Sequence, residues 1–331
     1  MTMGISTVAI GFLPTYASIG VAAPLLLALC RLGQGLGLGG EWGGAVLLAT
    51  ENAPEGKKSW YGMFPQLGAP IGFILATGIF LFLAEVLTDE QFFSFGWRIP
   101  FLASAVLVGV GLFIRLRISE TPEFQKAIDK AERVTVPAAT LFRDHKLNLF
   151  CGTIGGMATF VLFYIMTVFS LGWGTGALGY SREEFLILQM IGVLFFALTI
   201  PFAGLITDRF GMRPVMVLVT LAIGAYGLIM APLVAAGTPG VLAFLIIGFA
   251  LMGMTYGPIG AVLAAPFPTS VRYTGASLAF NLAGILGASL APYIATWLAT
   301  HYGFNYVGYY MLFAALISLI GFSFVSFRYK D

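Results

Sequence analysis

Three features of the sequence predict an all-α polytopic membrane protein. Composition is 59% hydrophobic and only 10% charged over 331 residues, long apolar runs recur at near-bilayer length, and positive charge gathers between alternate runs. An ordinary soluble domain is about 25% charged, so this chain is not one. Its 17 Lys and Arg nearly balance 15 Asp and Glu, which leaves no basic footprint for a nucleic-acid partner and makes the position of each cation the informative quantity.

The opening run, 1–14, covers only about 20 Å at about 1.5 Å per residue, short of a hydrocarbon layer about 30 Å thick. It is expected to be a shortened span. Nine full spans follow, at 22–51, 60–87, 97–117, 147–173, 183–206, 213–235, 239–264, 272–299 and 304–327. Residues 118–143 form the one long polar stretch, where Thr121 followed by Pro122 reads as the N-cap and first residue of a short surface helix. The expected organisation is an incomplete bundle of four segments over 1–117, a linker over 118–146 and a six-helix bundle over 147–331. Counting the opening run as first, the loops after the second, fourth, sixth and eighth segments and the C-terminal tail hold 14 of the 17 cations. Those loops are therefore expected on the cytoplasmic side. Arg98 and Arg182 fall opposite, and Arg31 falls within the membrane.

Several function classes lose support. Cys30 and Cys151 lie in apolar runs with no CxxC or Cys/His grouping, so neither a metal nor a disulfide is expected. No nucleophile and base, and no set of metal ligands, gather at bilayer depth, which argues against an enzyme; no cofactor is expected. "MTMGISTVAI" lacks the basic start of a secretory signal.

An internal repeat gives further organisation. "GGAVLLATENAPEGKKSWYG" (Gly43 to Gly62) and "IGAVLAAPFPTSVRYTG" (Ile259 to Gly275) share Gly-Ala-Val-Leu, then a proline, a basic residue and a glycine, offset by about 216 residues. In the second half, two spans and the loop "GLITDRFGMRP" (Gly204 to Pro214) precede the counterpart of the opening run. The repeat thus leads us to expect two helices and a loop, about seventy residues, ahead of Met1.

The stretch "RLGQGLGLGGEWGG" (Arg31 to Gly44) places Arg31, Gln34 and Glu41 inside an apolar helix. Arg31 and Glu41 lie about 80° apart around that helix and about 15 Å apart along it, so they cannot pair with each other. An unpaired charge at bilayer depth costs at least about 3 kcal/mol, so each needs a partner on another helix or a wet cavity. Either they form a functional pathway or they clamp helices. Burial is expected to raise the Glu41 pKa toward a range where it exchanges a proton. Gly35, Gly39 and Gly43 repeat the GxxxG spacing that admits a neighbouring backbone.

In "DRFGMRP", Gly211 permits a tight turn, Pro214 can start a helix and Asp208 stands where a carboxylate favours a helix N-terminus. Arg209 and Arg213 can reach acids at neighbouring helix ends. The remaining polar residues inside spans are Gln66, Tyr164, Gln189, Tyr256, Asn281 and Tyr293. Of these, the buried amides Gln66 and Asn281 most need hydrogen-bond partners, whereas His145 and His301 read as solvated.

Taken in order, "RLGQGLGLGGEWGG", the "ENAP" and "FPTSVRYTG" helix ends, "SETPEF" (Ser119 to Phe124) and "GLITDRFGMRP" resemble the major facilitator superfamily, and within it the metabolite/proton symporters that carry shikimate, oxoglutarate, citrate, proline or betaine. The resemblance covers essentially the whole chain. It implies the major facilitator fold, with about ten membrane helices (four plus six) of the usual twelve, corresponding to helices three to twelve. It also implies a monomer in the cytoplasmic membrane that moves a small polar or anionic metabolite with protons by alternating access. The alternative is a truncated membrane protein or scaffold that does not transport.

On that resemblance, Arg31 matches an arginine that often faces an acid on the family's first helix. Gln66 and Asn281 match cavity-lining positions. Arg31, Gln34, Glu41, Trp42, Gln66, Tyr164 and Asn281 are the expected substrate and proton pathway. Glu51, Asp208, Arg209, Gly211, Arg213 and Arg272 are the expected cytoplasmic gate, and Ala265 stands where the second-half copy usually has a glutamate.

Overall fold

The computed structural model describes residues 1–115 and 137–325. The surface helix expected at Thr121 lies outside the described residues. Among those residues the regular structure is helical throughout, without strands, and nine helices are long and apolar enough to cross a membrane. The short apolar helix expected at the start is α1, Thr2–Phe12.

After α2 (Tyr16–Ile19) come α3 (Ala22–Glu51), α4 (Lys58–Gly62), α5 (Gly68–Val86), α6 (Asp89–Ser94) and α7 (Ile99–Arg115). Next among the described residues is α8 (Pro137–Asp144). Then follow α9 (Lys146–Tyr164), α10 (Ser170–Gly176), α11 (Arg182–Phe210), α12 (Met212–Ala235), α13 (Gly237–Tyr256), α14 (Ile259–Ala264), α15 (Thr269–Ala288), α16 (Ala291–Tyr302) and α17 (Asn305–Phe324).

Several predicted spans are single in length but broken inside. A 3₁₀ turn, Pro65–Leu67, separates α4 from α5, and a π turn, Ile165–Phe169, separates α9 from α10. Gly257 and Pro258 part α13 from α14, and α16 restarts with Pro292 in its first turn. Proline explains three of these breaks, since it has no N–H to give the helix and its ring collides with the preceding turn. The π turn has no proline, and its cause lies in packing described below.

The ends are set by local chemistry. Ser181 and Glu184 form a reciprocal capping box at the start of α11, as Thr88 and Gln91 do for α6, each satisfying two orphan backbone donors. Helix α11 stops at Gly211, whose φ of 91° is a backbone state that side chains resist.

The chain divides into two compact units, Met1–Trp42 with Ile74–Glu120, and Gly43–Phe73 with Thr121–Asp331. In the first unit α1 packs along α7. Arg98 Nη1 donates to the carbonyls of Gly11 (2.9 Å) and Leu13 (2.6 Å) and thereby closes the end of α1, while its guanidinium lies 4.5 Å from the centre of the Trp97 ring. The glycines of α3 that admit a neighbour here are Gly33, against Ser6, and Gly37, against Met3. Of the expected GxxxG positions, Gly35 is corrected, because a Cβ there would meet open space, whereas Gly43 does face a neighbour at Ser277. Glycine at nearly every second position offers the same spacing on two faces of the helix, and packing uses both at different depths.

In the second unit α9 lies against α15 and α17, α11 against α13, and α12 against α13 and α17. Ile165, Met166, Ile200, Met216, Ile223 and Met311 are fully buried in its core. Short α4 packs on the end of α11, which brings the two loop motifs of the sequence together.

Candidate substrate pathway and cytoplasmic gate

Helix α3 carries the first group of polar residues. Arg31 Nη1 donates to Gln34 Oε1 (3.3 Å), and Gln34 Nε2 donates to Thr7 Oγ1 on α1 (2.7 Å). Thr7 passes the chain on to the Met3 carbonyl. The Arg31 side chain lines a cavity of about 480 Å³ with Tyr16, Leu27, Trp97 and Phe101, within the size range of small-molecule sites. One cation in a wall that is otherwise apolar and aromatic except for Thr15 is suited to a carboxylate, whose charge it neutralises.

Glu41 does not fulfil its expectation of burial: it is exposed, whereas its neighbour Trp42 is buried. Successive residues on a helix point about 100° apart, so adjacent positions can have opposite surroundings.

The second group stands at helix ends in the other unit. Both carboxylate oxygens of Asp208 accept backbone N–H bonds, from Ser59 and from Trp60, each at 2.8 Å. These donors belong to the first turn of α4, where N–H groups lack helical partners and the dipole favours an anion. The expected helix N-terminus is thus that of α4, about 150 residues earlier in the chain, and not that of α12. Gly204 faces the backbone of Ser59 and Trp60 so closely that a Cβ there would lie 3.2 Å from each.

Glu51, at the end of α3, meets Arg272 of α15 at 3.4 Å, with side chains 7% and 17% exposed. Arg272 also donates Nε to the Phe267 carbonyl (3.1 Å). The pair joins one residue from each copy of the internal repeat. The surrounding glycines allow the approach: Gly43 abuts Ser277, Gly62 meets Thr50, and Gly260 meets Val46.

Arg213 Nη2 donates to the Val325 carbonyl just beyond α17 (2.8 Å). Arg209 is exposed, 5.4 Å from the centre of the Phe210 ring, and has no acid partner among the described residues. A sequence can show that a loop arginine is near helix ends, but a free carbonyl competes for it as well as a carboxylate does.

Both expected amides have hydrogen-bond partners, of different kinds. Gln66 is 1% exposed and donates to the carbonyl of Tyr256 (3.2 Å), the last residue of α13. Asn281 is half-buried and donates to Ser277 one turn back on its own helix (2.7 Å). Tyr164 closes α9 beside the π turn, in edge contact with Phe163.

Gln189, an amide that belongs to neither expected group, is heavily engaged. It is fully buried, and its Nε2 lies 2.8 Å from the carbonyls of Met166 and Thr167 and 3.0 Å from Ser170 Oγ. It occupies the carbonyls loosened by the π turn, which accounts for a break without proline. Its Oε1 has no hydrogen-bond partner among the described residues. The signal available in the sequence was a lone amide in an apolar span; its partners are backbone atoms, which residue types do not reveal.

Known proteins resemble the chain in sequence and in fold. A family model described as Major Facilitator Superfamily matches residues 1–284 and again 175–331. The chain is 54% identical to the inner membrane metabolite transport protein YhjE of Escherichia coli (strain K12), over 97% of the chain and 74% of that protein. It is 36% identical to the shikimate transporter of the same organism, over 96% of the chain and 74% of that protein. A proline/betaine transporter of Salmonella typhimurium is 32% identical, over 96% of the chain and 66% of that protein. Among solved structures, the proton:xylose symporter XylE superposes with a TM-score of 0.78 at 17% identity, covering 98% of this chain and 78% of that one.

Proposed function

Because the chain belongs to the Major Facilitator Superfamily and is a multi-pass membrane transporter, we propose that it couples entry of a small organic acid or zwitterionic metabolite to protons across the cytoplasmic membrane. The observation that carries this reading is Arg31, a cation held by Gln34 in the wall of a cavity that is otherwise apolar and aromatic except for Thr15. A carboxylate entering that cavity gains a charge-assisted hydrogen bond from Arg31. The shikimate, proline and betaine named for its relatives all fit such a site in size and charge.

In this reading Arg31, Gln34, Glu41, Trp42, Gln66, Tyr164 and Asn281 form the pathway, with Glu41 carrying the proton, and the protein works as a monomer. The gate is Glu51 with Arg272, and Asp208 with the start of α4, while Arg209, Gly211 and Arg213 shape the turn. Cytoplasmic closure holds while these contacts persist. Alternating access rocks helices around a midplane site, so the contacts must break once per cycle. The four-segment and six-helix bundles divided by the 118–146 linker, with linker and C-terminus in the cytoplasm, supply the moving parts.

The test is uptake by the protein in proteoliposomes with shikimate, proline and betaine, under an imposed inward proton gradient and with a protonophore. Accumulation abolished by the protonophore and reduced at least tenfold by Arg31→Gln is expected. Accumulation that ignores the protonophore rejects proton coupling and leaves transport standing. An absence of uptake for every carboxylate offered, with neutral solutes carried instead, rejects the assigned role of Arg31.

A further inference from the structure

A groove of about 360 Å³ between the start of α4 and the end of α11 is lined by Gly56, Lys57, Trp60, Leu205, Asp208 and Arg209. Its charges are unevenly engaged. Both oxygens of Asp208 are occupied by the backbone of Ser59 and Trp60, so that carboxylate is turned toward α4. Lys57 and Arg209 are exposed, and neither has an acid partner among the described residues.

The apolar side of the groove continues outward. Leu205 is 54% exposed, and Phe202, one turn before it on α11, is 55% exposed; residues three apart share a helix face. Trp60 makes an edge contact with Phe64, itself exposed. Two free cations therefore stand where the spans end, at the mouth of a cleft whose walls turn aromatic and aliphatic along the spans. In a membrane protein that order of surfaces matches one molecule with a phosphate at its head and hydrocarbon behind it.

We propose that this groove is a site for an anionic phospholipid, its headgroup phosphate between Lys57 and Arg209 and its acyl chain along Leu205 and Phe202, formed when Asp208 clamps the first turn of α4. The site joins residues from two chain segments about 150 positions apart, and it exists only while the clamp holds them together. The bound lipid therefore favours the clamped state. This rests on the membrane location of the chain and not on the identity of its solute, so failed uptake would leave it untouched.

The test uses the full chain in nanodiscs of phosphatidylcholine containing a minor fraction of phosphatidylglycerol, with retained lipids counted by native mass spectrometry after release. One retained phosphatidylglycerol per chain is expected, lost at least fivefold in the Lys57→Gln/Arg209→Gln variant. It should be kept in an Arg143→Gln/Lys146→Gln control, which removes two other cations near the start of α9. Equal loss in the two variants, or no loss in either, overturns the site.

Asp208→Ala separates a built site from simple charge attraction. Removing an acid beside an anion strengthens plain attraction, whereas a clamp-built groove loses its lipid. Stronger retention in Asp208→Ala overturns the proposal. If the double variant does not fold, Lys57→Gln and Arg209→Gln are read singly, each expected to lose lipid and each contradicting the site if retention is unchanged. Displacement of the lipid by millimolar inorganic phosphate would assign the cations to a free ion and overturn the lipid as occupant.

Discussion

Helix α3 carries charges with opposite surroundings. Arg31 and Glu41 are exposed, and Arg31 bonds along its own helix to an amide at 3.3 Å. Ten residues beyond Glu41, the side chain of Glu51 is only 7% exposed and faces Arg272. The first arrangement leaves its cation open to a visiting partner. The second has a resident one. Charges of a solute pathway must stay available, because a partner bound permanently would compete with the solute; charges that hold helix ends together gain from being enclosed, where screening is weak.

Substitutions can break or sharpen that contrast. The largest loss of stability is expected from Arg272→Gln, which removes the cation facing the buried Glu51 carboxylate and costs about 3–5 kcal/mol. Thermal unfolding should show it, and Glu51→Gln/Arg272→Gln should recover part of the loss. A single variant that melts like the parent would show the pair to be as open as Arg31.

Next comes Asp208→Asn, which gives up a charged acceptor for two backbone donors, worth about 1.5–3 kcal/mol. Hydrogen exchange should rise at Ser59 and Trp60 and stay level in α17. Gln189→Leu is expected to cost about 1 kcal/mol, at the low end of what stranded carbonyls cost, because its own Oε1 is already without a partner. Faster exchange should be confined to the π turn and α10.

Arg31→Gln should leave stability within about 0.5 kcal/mol of the parent while uptake collapses, the reverse of a helix clamp. Smallest of all is Arg143→Gln. The Arg143 guanidinium, hydrogen-bonded to Asp144, holds that carboxyl below the usual carboxylate range, but the pair is 79% and 43% exposed. Its loss should leave the unfolding midpoint unchanged.

The spans were legible because bilayer thickness converts directly into a count of apolar residues. Helix α3 begins and ends where its apolar run does. The interruptions were less visible: a proline announces a break, but the π turn at Ile165–Phe169 depends on an amide from another helix. In the candidate site, Asp208 was readable as a helix-capping carboxylate, yet the helix it caps was not, since the partner is backbone far away in the chain. Arg209 and Arg213 show the same limit. Glu41 and Trp42 show another, because a one-residue step on a helix decides exposure and composition does not fix that rotation.

The contact of Asp208 with Ser59 and Trp60 also has a bearing on biosynthesis. Ribosomes add about 5–20 residues per second, so the first turn of α4 emerges roughly 7–30 s before the carboxylate that caps it. Several spans must enter the bilayer in that interval. The contact can form only if an even number of crossings lies between them, because a single span left out of the bilayer would put Asp208 and α4 on opposite faces of the membrane. Its closure therefore marks a chain in which no single intervening span has been skipped.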